Sequence, residues 1–375
     1  MVRSTHASVD LEALAANYRA IAGHLAVGAG SGAVPRIIAV IKANAYGHGA
    51  VQVARALESA VPAPTLACAD LEEGIELRSA GVTAPILVFG ALGVSDVAGV
   101  FEHRLTPTVS SPSAARALER AAAARGVRVE VHLKIDTGMN RFGFRHDNLR
   151  TTLPEVIGTR HLAVDAVYTH FATAELDGHP LFDRQRARFE AVRASAAELG
   201  LEHARWHAAN SAALLRDRRT WYDAVRPGLL LYGIAPPPLV PDLRLRPVMS
   251  IESRVVAVKG MRPGESAGYG ARFVAERPMR IALIPAGYAD GLDLRLAGAG
   301  AVLIRGARAP VLTVSMDSMT VDVSGVDAHT GDEVVILGEQ GAARIDARDI
   351  ARAMGTVPHE VLCRVGARIG RTYNP

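Results

Sequence analysis

A chain of 375 residues with 49% hydrophobic and 21% charged residues can bury a large core and is not disordered; at about 150 residues per domain it has room for two or three, although an α/β barrel can run to about 250 as one unit. The 42 Lys and Arg against 38 Asp and Glu give a formal charge of +4, interleaved rather than massed, which points to no nucleic-acid partner and at most favours small anionic ligands. The only two cysteines, Cys68 and Cys363, exclude a disulfide framework or a Cys-rich metal site; with no run of roughly 18 apolar residues and no signal-peptide core in the first ten, the expectation is a cytoplasmic protein with no membrane association.

Up to about residue 235, short β-rich runs alternate with helical stretches. Runs at 37–42, 65–69, 86–89, 105–109, 129–136, 163–170, 206–208 and 224–226 read as strands. Segments 50–59, 70–80, 113–125, 183–199 and 211–218 read as helices. Gly81, Gly126 and Gly200 follow three of these helices, where a glycine that ends a helix belongs. Eight strands alternating with helices predict an α/β fold, a closed parallel (β/α)8 TIM-type barrel over residues 1–238. A doubly wound sheet competes, but no strand leads into a GxGxxG turn. Pro236, Pro237, Pro238 and Pro241 make a stiff connector. Beyond it, runs at 248–258, 280–284, 301–304, 311–314, 319–323 and 333–337 read as successive strands, interrupted by one helix at 347–354. They predict a mainly β C-terminal domain over 239–375. The first strand, about 5–10, is a candidate to pair with that domain.

Barrel active sites sit at the C-terminal ends of the strands, and the polar outliers of this sequence gather there. The first strand ends at Lys42, the fifth at Lys134 and Asp136, the sixth at His170 and the eighth at Arg226, while the seventh leads to Asn210 and Ser211. If Lys134 points inward, alternation sends His132 and Asp136 inward with it. Lys134 and Asp136 read equally as an ion pair or as separate functional groups. Such a mouth is electropositive and suits an anionic ligand, and a desolvated lysine there can act as a nucleophile. His203 and His207 stand four apart but lack the HExxH order, so no metal site is expected.

At Lys42 the sequence becomes familiar. The stretch Ala39-Val-Ile-Lys42-Ala-Asn-Ala-Tyr46-Gly-His-Gly49 closely resembles the pyridoxal-phosphate attachment signature of the alanine racemase family. Further matching motifs follow in family order: Val131 to Arg141, Thr169 to Thr173, His207 to Ser211, Val225 to Gly228, Gly268-Tyr269-Gly270, Pro285 to Gly291 and Ser315-Met316-Asp317. The resemblance runs from about Ser8 to Tyr373.

The resemblance implies a pyridoxal 5'-phosphate enzyme that interconverts L- and D-alanine, supplies D-alanine for peptidoglycan, and works as a homodimer with active sites shared across the interface. It implies that Lys42 carries the cofactor and acts as base on one face of the substrate. Tyr269, contributed by the other subunit, would act on the opposite face. Arg226 would face the cofactor's pyridine nitrogen; Tyr46, Asn210, Ser211 and the backbone of Gly228 and Leu229 would hold its phosphate, with His170 also in the cofactor site. Arg141 and Met316 would contact the substrate, with Lys134, which is often carbamylated in the family, Asp317 and Tyr288 in support. Thr313 and Ala367 depart from residues common in relatives and bear on the access channel. A broader-specificity racemase is a variant of this reading. A non-catalytic carrier would need neither the β domain nor Tyr269, and for a basic amino-acid decarboxylase Cys363 is the only candidate cysteine in the second domain.

Overall fold

The computed structural model describes residues 4–90, 97–240 and 242–375. Pro241 of the proline-rich connector therefore lies outside the described residues. Eight parallel strands close the N-terminal barrel: Arg36–Val40, Thr65–Cys68, Ile86–Val88, Thr106–Val109, Val129–Asp136, Leu162–Tyr168, Arg205–Asn210 and Ala224–Arg226. Each pairs with the next in parallel, the fourth pairs with the fifth through Thr108 and His132, and the last returns to the first through Val225 and Ile37. The barrel and its β successor are thus those expected from the alternation of runs. The strands are short and nearly all buried because helices cover the outside and side chains fill the inside, where polar groups such as Thr108, His132, Lys134, His207 and Arg226 sit among the apolar ones.

Local signals set the helices. Asp10, Asp70 and Ser111 each accept from a backbone N–H three residues on and start the helices Leu11–Ala29, Leu71–Ser79 and Pro112–Arg125. The helix expected at 183–199 instead spans Pro180–Ala194, because Pro180 fixes its first turn and Ser195 ends it.

The C-terminal domain is built on one long sheet. Its strands run in the order Ala257–Met261, Met279–Ile284, Met319–Asp322, Ala307–Val314, Ala301–Ile304, Glu333–Gln340, Met249–Arg254, His6–Asp10 and Gly370–Asn374. The run expected as one strand at 248–258 breaks into two, which pair with different partners: Met249–Arg254 with Glu333–Gln340, and Ala257–Met261 with Met279–Ile284. The N-terminal strand His6–Asp10 lies antiparallel to Met249–Arg254 and parallel to Gly370–Asn374.

A buried asparagine fastens the two units where the chain crosses between them. Asn17, fully buried in the first helix, donates through Nδ2 to the carbonyls of Leu231 and Arg246 (3.0 and 2.8 Å) and accepts from the Arg246 N–H (2.8 Å). All of its polar groups are therefore committed. Asn17→Leu strips three backbone groups of their partners, and the expected cost is about 2–4 kcal/mol. The shift of the urea unfolding midpoint, with an unchanged slope, measures it; a loss below about 1 kcal/mol would count against this fastening.

Candidate active site

A cavity of about 450 Å³ opens at the C-terminal ends of the barrel strands. Lys42, Lys134, Arg141 and Arg226 all line it, with Tyr46, His170, Asn210, Ser211, Gly228 and Leu229. Among the described residues the only acidic group of the lining is Glu175. The excess of positive charge matches an anionic ligand.

The charge shows in the titration of the two lysines. Burial, then the nearby guanidinium of Arg141, lowers the Lys42 amine from its ordinary value. The same two causes, with Arg226 added, bring Lys134 down to about 7, so much of its amine is neutral near that pH. No ion pair joins Lys134 to Asp136. The inward orientation expected for Asp136 is not what the fold provides: its carboxylate accepts from the N–H groups of Gly138, Met139 and Asn140 at 2.9, 2.9 and 3.2 Å. The turn after the strand captures it, with Asn140 left-handed at φ 55°, and it faces a separate cleft beside Arg145 and Arg188.

Lys42 stands at the start of an unusual piece of backbone. Ala43, Asn44, Ala45 and Tyr46 all have φ of 52–53°, one turn of left-handed helix. For L-residues this costs roughly 1–2 kcal/mol per residue, so the surroundings must impose it. Glu73, on a neighbouring helix, accepts from the N–H of Ala43 (2.6 Å) with one carboxylate oxygen and from that of Ala69 (2.7 Å) with the other. Asn44 Oδ1 accepts from the Ala50 N–H at 2.8 Å. The buried His48 ring lies 2.9 Å from both the Ala45 and Tyr46 carbonyls and stacks on Tyr232. The turn aims the Lys42 amine and the Tyr46 hydroxyl into one cavity.

The floor of the cavity is a polar cradle. Ser211 Oγ accepts from the Gly228 N–H at 2.9 Å and the Leu230 N–H at 3.4 Å, which leaves its own proton to donate. Asn210 caps the helix Ser211–Arg216 through the Ala213 N–H. Among the described residues the N–H of the buried Leu229 donates to no group of the chain. A Cβ on Gly228 would come within 2.3 Å of the Tyr46 hydroxyl, so only glycine leaves the space open. A hydroxyl, a phenol and the Leu229 N–H around one gap form a donor set for a phosphate.

Arg226 is buried behind the cradle. Its NH2 donates to the carbonyls of Thr169 (2.7 Å) and Ala208 (2.9 Å), and its NH1 to Nδ1 of His207 (2.7 Å). Burial lowers it to about 10, and it remains charged at neutral pH. His170 Nδ1 lies 3.4 Å away; burial and Arg226 hold that imidazole well below its usual value, hence neutral.

The other sequence-derived candidates lie elsewhere in the chain. Tyr269, Tyr288 and Met316 are 84%, 43% and 56% exposed on the C-terminal domain and do not line the cavity. They share one rim. Tyr288 and Ala289 donate to the carbonyls of Ser315 and Met316, an approach allowed because Gly287 has no Cβ, and Gly268 packs against Thr313. Asp317 belongs to the same loop. His203 is exposed and His207 buried, so the pair spaced by four does not converge. Sequence reasoning missed Glu73 and His359. His359 lines the cavity 5.7 Å from the Tyr46 ring and is lowered to about 4 by burial and Lys42. Both sit on helices rather than strand ends, so the alternation that revealed the others carries no signal for them.

Two family models match the chain: alanine racemase, N-terminal domain, over residues 9–236, and alanine racemase, C-terminal domain, over 248–373. The alanine racemase of Symbiobacterium thermophilum is 39% identical over 99% of this chain and 97% of its own length. That of Halothermothrix orenii is 37% identical over 100% and 97%. Among solved structures, the Streptomyces lavendulae alanine racemase superposes with a TM-score of 0.93 at 34% identity, covering 100% of this chain and 98% of that one. The Streptomyces coelicolor enzyme gives 0.91 at 33% identity, covering 99% and 98%.

The clamp on the left-handed turn is open to direct test. Glu73→Ala removes a charged acceptor shared by two N–H groups, and the expected destabilisation is about 2 kcal/mol, with Glu73→Gln losing less because its amide oxygen still serves one of them. Urea unfolding of both variants measures it; equal stability of Glu73→Ala and the parent would remove Glu73 from the account.

Proposed function

The chain belongs to the alanine racemase family, and on that premise we propose that it interconverts L- and D-alanine with pyridoxal 5'-phosphate, by proton transfer at the two faces of the substrate. The observation that carries the reading is the Lys42 amine, depressed by burial and Arg141, facing a cation-lined cavity with a phosphate-type cradle at its floor.

The residues present fit the cofactor. Lys42 would hold it covalently through Nζ. Tyr46, Ser211 and the N–H of Leu229 would take the phosphate, with the backbone at Gly228, whose own N–H is held by Ser211 Oγ, leaving room for it; Asn210 would hold the helix that carries Ser211, and Arg226 and His170 would lie along the ring. Bound there, pyridoxal phosphate supplies the electron sink that makes the Cα–H of alanine acidic enough to remove. Arg226, which keeps its proton at neutral pH, denies the ring nitrogen a proton source, so the sink stays moderate. That favours return of the proton to Cα over side reactions.

Racemisation needs a proton taken on one face and delivered on the other. Lys42 Nζ serves one face. Among the described residues the phenols that line the cavity are Tyr46, which belongs to the cradle, and Tyr168, which is buried with its hydroxyl paired to Thr108; Tyr269, exposed on the other domain, is the matching residue. We therefore read the rim of Tyr269, Tyr288, Met316 and Asp317 as the part of the site given to a second copy of the chain in a homodimer. Arg141 would pair with the alanine carboxylate. The neutral amine of Lys134 can attack CO₂, losing a proton to give a carbamate whose negative charge supports Arg141. D-Alanine made this way would serve peptidoglycan synthesis in the cytoplasm.

Incubation with L-alanine in D₂O is the first test: D-alanine carrying Cα deuterium, approaching an equal mixture, is the expected result, and bound cofactor without exchange would refute the reading. Lys42→Ala is expected to lose cofactor absorbance in the visible and both reaction directions. Tyr269→Phe should keep the cofactor and slow L-to-D turnover most, by at least about 100-fold. Mixing the two inactive variants should restore part of the activity through hybrid dimers, and no recovery after subunit exchange would argue against a shared site. ¹³C-bicarbonate should give a carbamate signal that Lys134→Ala lacks. Because the amine is the reactive form, that signal should grow as pH rises through about 7 and fade below it.

A further inference from the structure

Behind Arg226 a line of buried polar groups runs down the inside of the barrel. His207 Nδ1 accepts from Arg226 NH1 at 2.7 Å. His207 Nε2 lies 3.1 Å from His132 Nδ1, and His132 Nε2 lies 3.2 Å from Asp165 Oδ2. The same carboxylate oxygen accepts from Arg205, whose side chain is 44% exposed. Both histidines are buried, and four adjacent strands supply the line. The Tyr168 ring stacks on His207 at 4.8 Å with 7° between planes and lies under the Arg226 guanidinium, so the His207 ring has no room to turn over.

The direction of this line is dictated at both ends. An arginine can only donate, so the His207 nitrogen facing it must be a bare lone pair. His207 is then protonated on Nε2 and donates to His132. The His132 Nδ1 must be bare in turn, its proton sits on Nε2, and that proton goes to Asp165, which as a carboxylate only accepts. Three bonds use three protons, and all four ring nitrogens of the two histidines are satisfied. Burial lowers both imidazoles, joined by Arg226 at His207 and partly opposed by the Asp165 carboxylate at His132, so both stay below their ordinary value. With NH1 tied to His207 and NH2 to two carbonyls, Nε and one NH1 hydrogen of Arg226 make no bond within the described residues, and Arg226 lines the cavity.

We propose that His207, His132 and Asp165 are positioning residues for Arg226: a one-way hydrogen-bond line, anchored by an acceptor at Asp165, that fixes which of the arginine's hydrogens face the cofactor. The inference deepens the functional reading above, because it concerns the group presented to the ring in that same site. The requirement is for an acceptor at Asp165, not for its charge. A structural ion pair with Arg205 would have the opposite requirement.

Two measurements test it. The first uses the protein without cofactor, labelled with ¹⁵N-histidine, and reads which ring nitrogen carries the proton at pH 7.5; His132 and His207 are assigned from single variants. Both should be neutral and protonated on Nε2. A charged ring, or a proton on Nδ1 of either, overturns the proposal whatever the enzyme does. The second compares Asp165→Leu with Asp165→Asn in the cofactor-loaded enzyme. Leucine should lower kcat for alanine about 10-fold with KM within about 2-fold. Asparagine, whose amide oxygen can still accept from His132 Nε2, should stay within about 2-fold of the parent. Asparagine as damaging as leucine, or leucine without effect, overturns it. If Asp165→Leu does not fold, His132→Leu and His132→Gln make the same comparison, since glutamine can accept from His207 and donate to Asp165. Parent protein with the expected tautomers but no alanine turnover would sink the functional reading and leave the hydrogen-bond line standing.

Discussion

Four cationic side chains converge on one cavity, and their mutual repulsion is the constraint around which the site is organised. Lys42, Lys134, Arg141 and Arg226 reach it from strand ends or the turns that follow them. Taking Lys134 and Arg226 out of water beside two further cations is costly, and each charge raises the cost of the others. The fold meets it in three ways. The lysines give up proton affinity, as both depressed amines show. Arg226 keeps its charge but spreads its hydrogens over two carbonyls and an imidazole. The rest of the positive field is left for an anionic ligand.

Precision at this mouth is bought with backbone strain. The left-handed turn of Ala43 to Tyr46 is a poor conformation held by good contacts: the Glu73 carboxylate, the Asn44 amide and the buried His48 ring. Glu73 comes from the helix Leu71–Ser79 while Asn44 and His48 belong to the turn and the residues just after it, and Leu362 and Cys363 of the C-terminal domain crowd Gly47 from above. Local strain and the docking of the two domains are therefore coupled. Loosening the interface would relax the turn and move both Lys42 and Tyr46.

Division of labour between domains follows from shape. The barrel can converge many side chains on one point because its strands end around a ring. It cannot approach a bound ligand from the solvent side. Groups for that side must come from outside the barrel, and the sheet-rich domain carries exposed aromatic and thioether side chains on a single rim held by Gly287 and Gly268.

The order of strands and helices, the eight-stranded barrel and the cationic strand ends were legible in the sequence, because period-two runs, terminal glycines and out-of-place charges are local signals. The motif at Lys42 was legible for the same reason. Asp136 was misjudged because alternation says where a strand residue points only until the turn chemistry beyond it makes a better offer to the carboxylate. The single run at 248–258 split because its halves serve different partners, which only the assembled sheet decides. Glu73 and His359 were silent because helix residues take on a role at a distant turn only when the barrel closes. His132, Asp165, His207 and Arg226 are spread over 95 residues of chain, and no spacing rule joins them. What the sequence determined by itself was which chemical groups are present and on which kind of element each sits. The tertiary structure decided which of them meet, because hydrogen bonds of about 3 Å between neighbouring strands depend on register and closure.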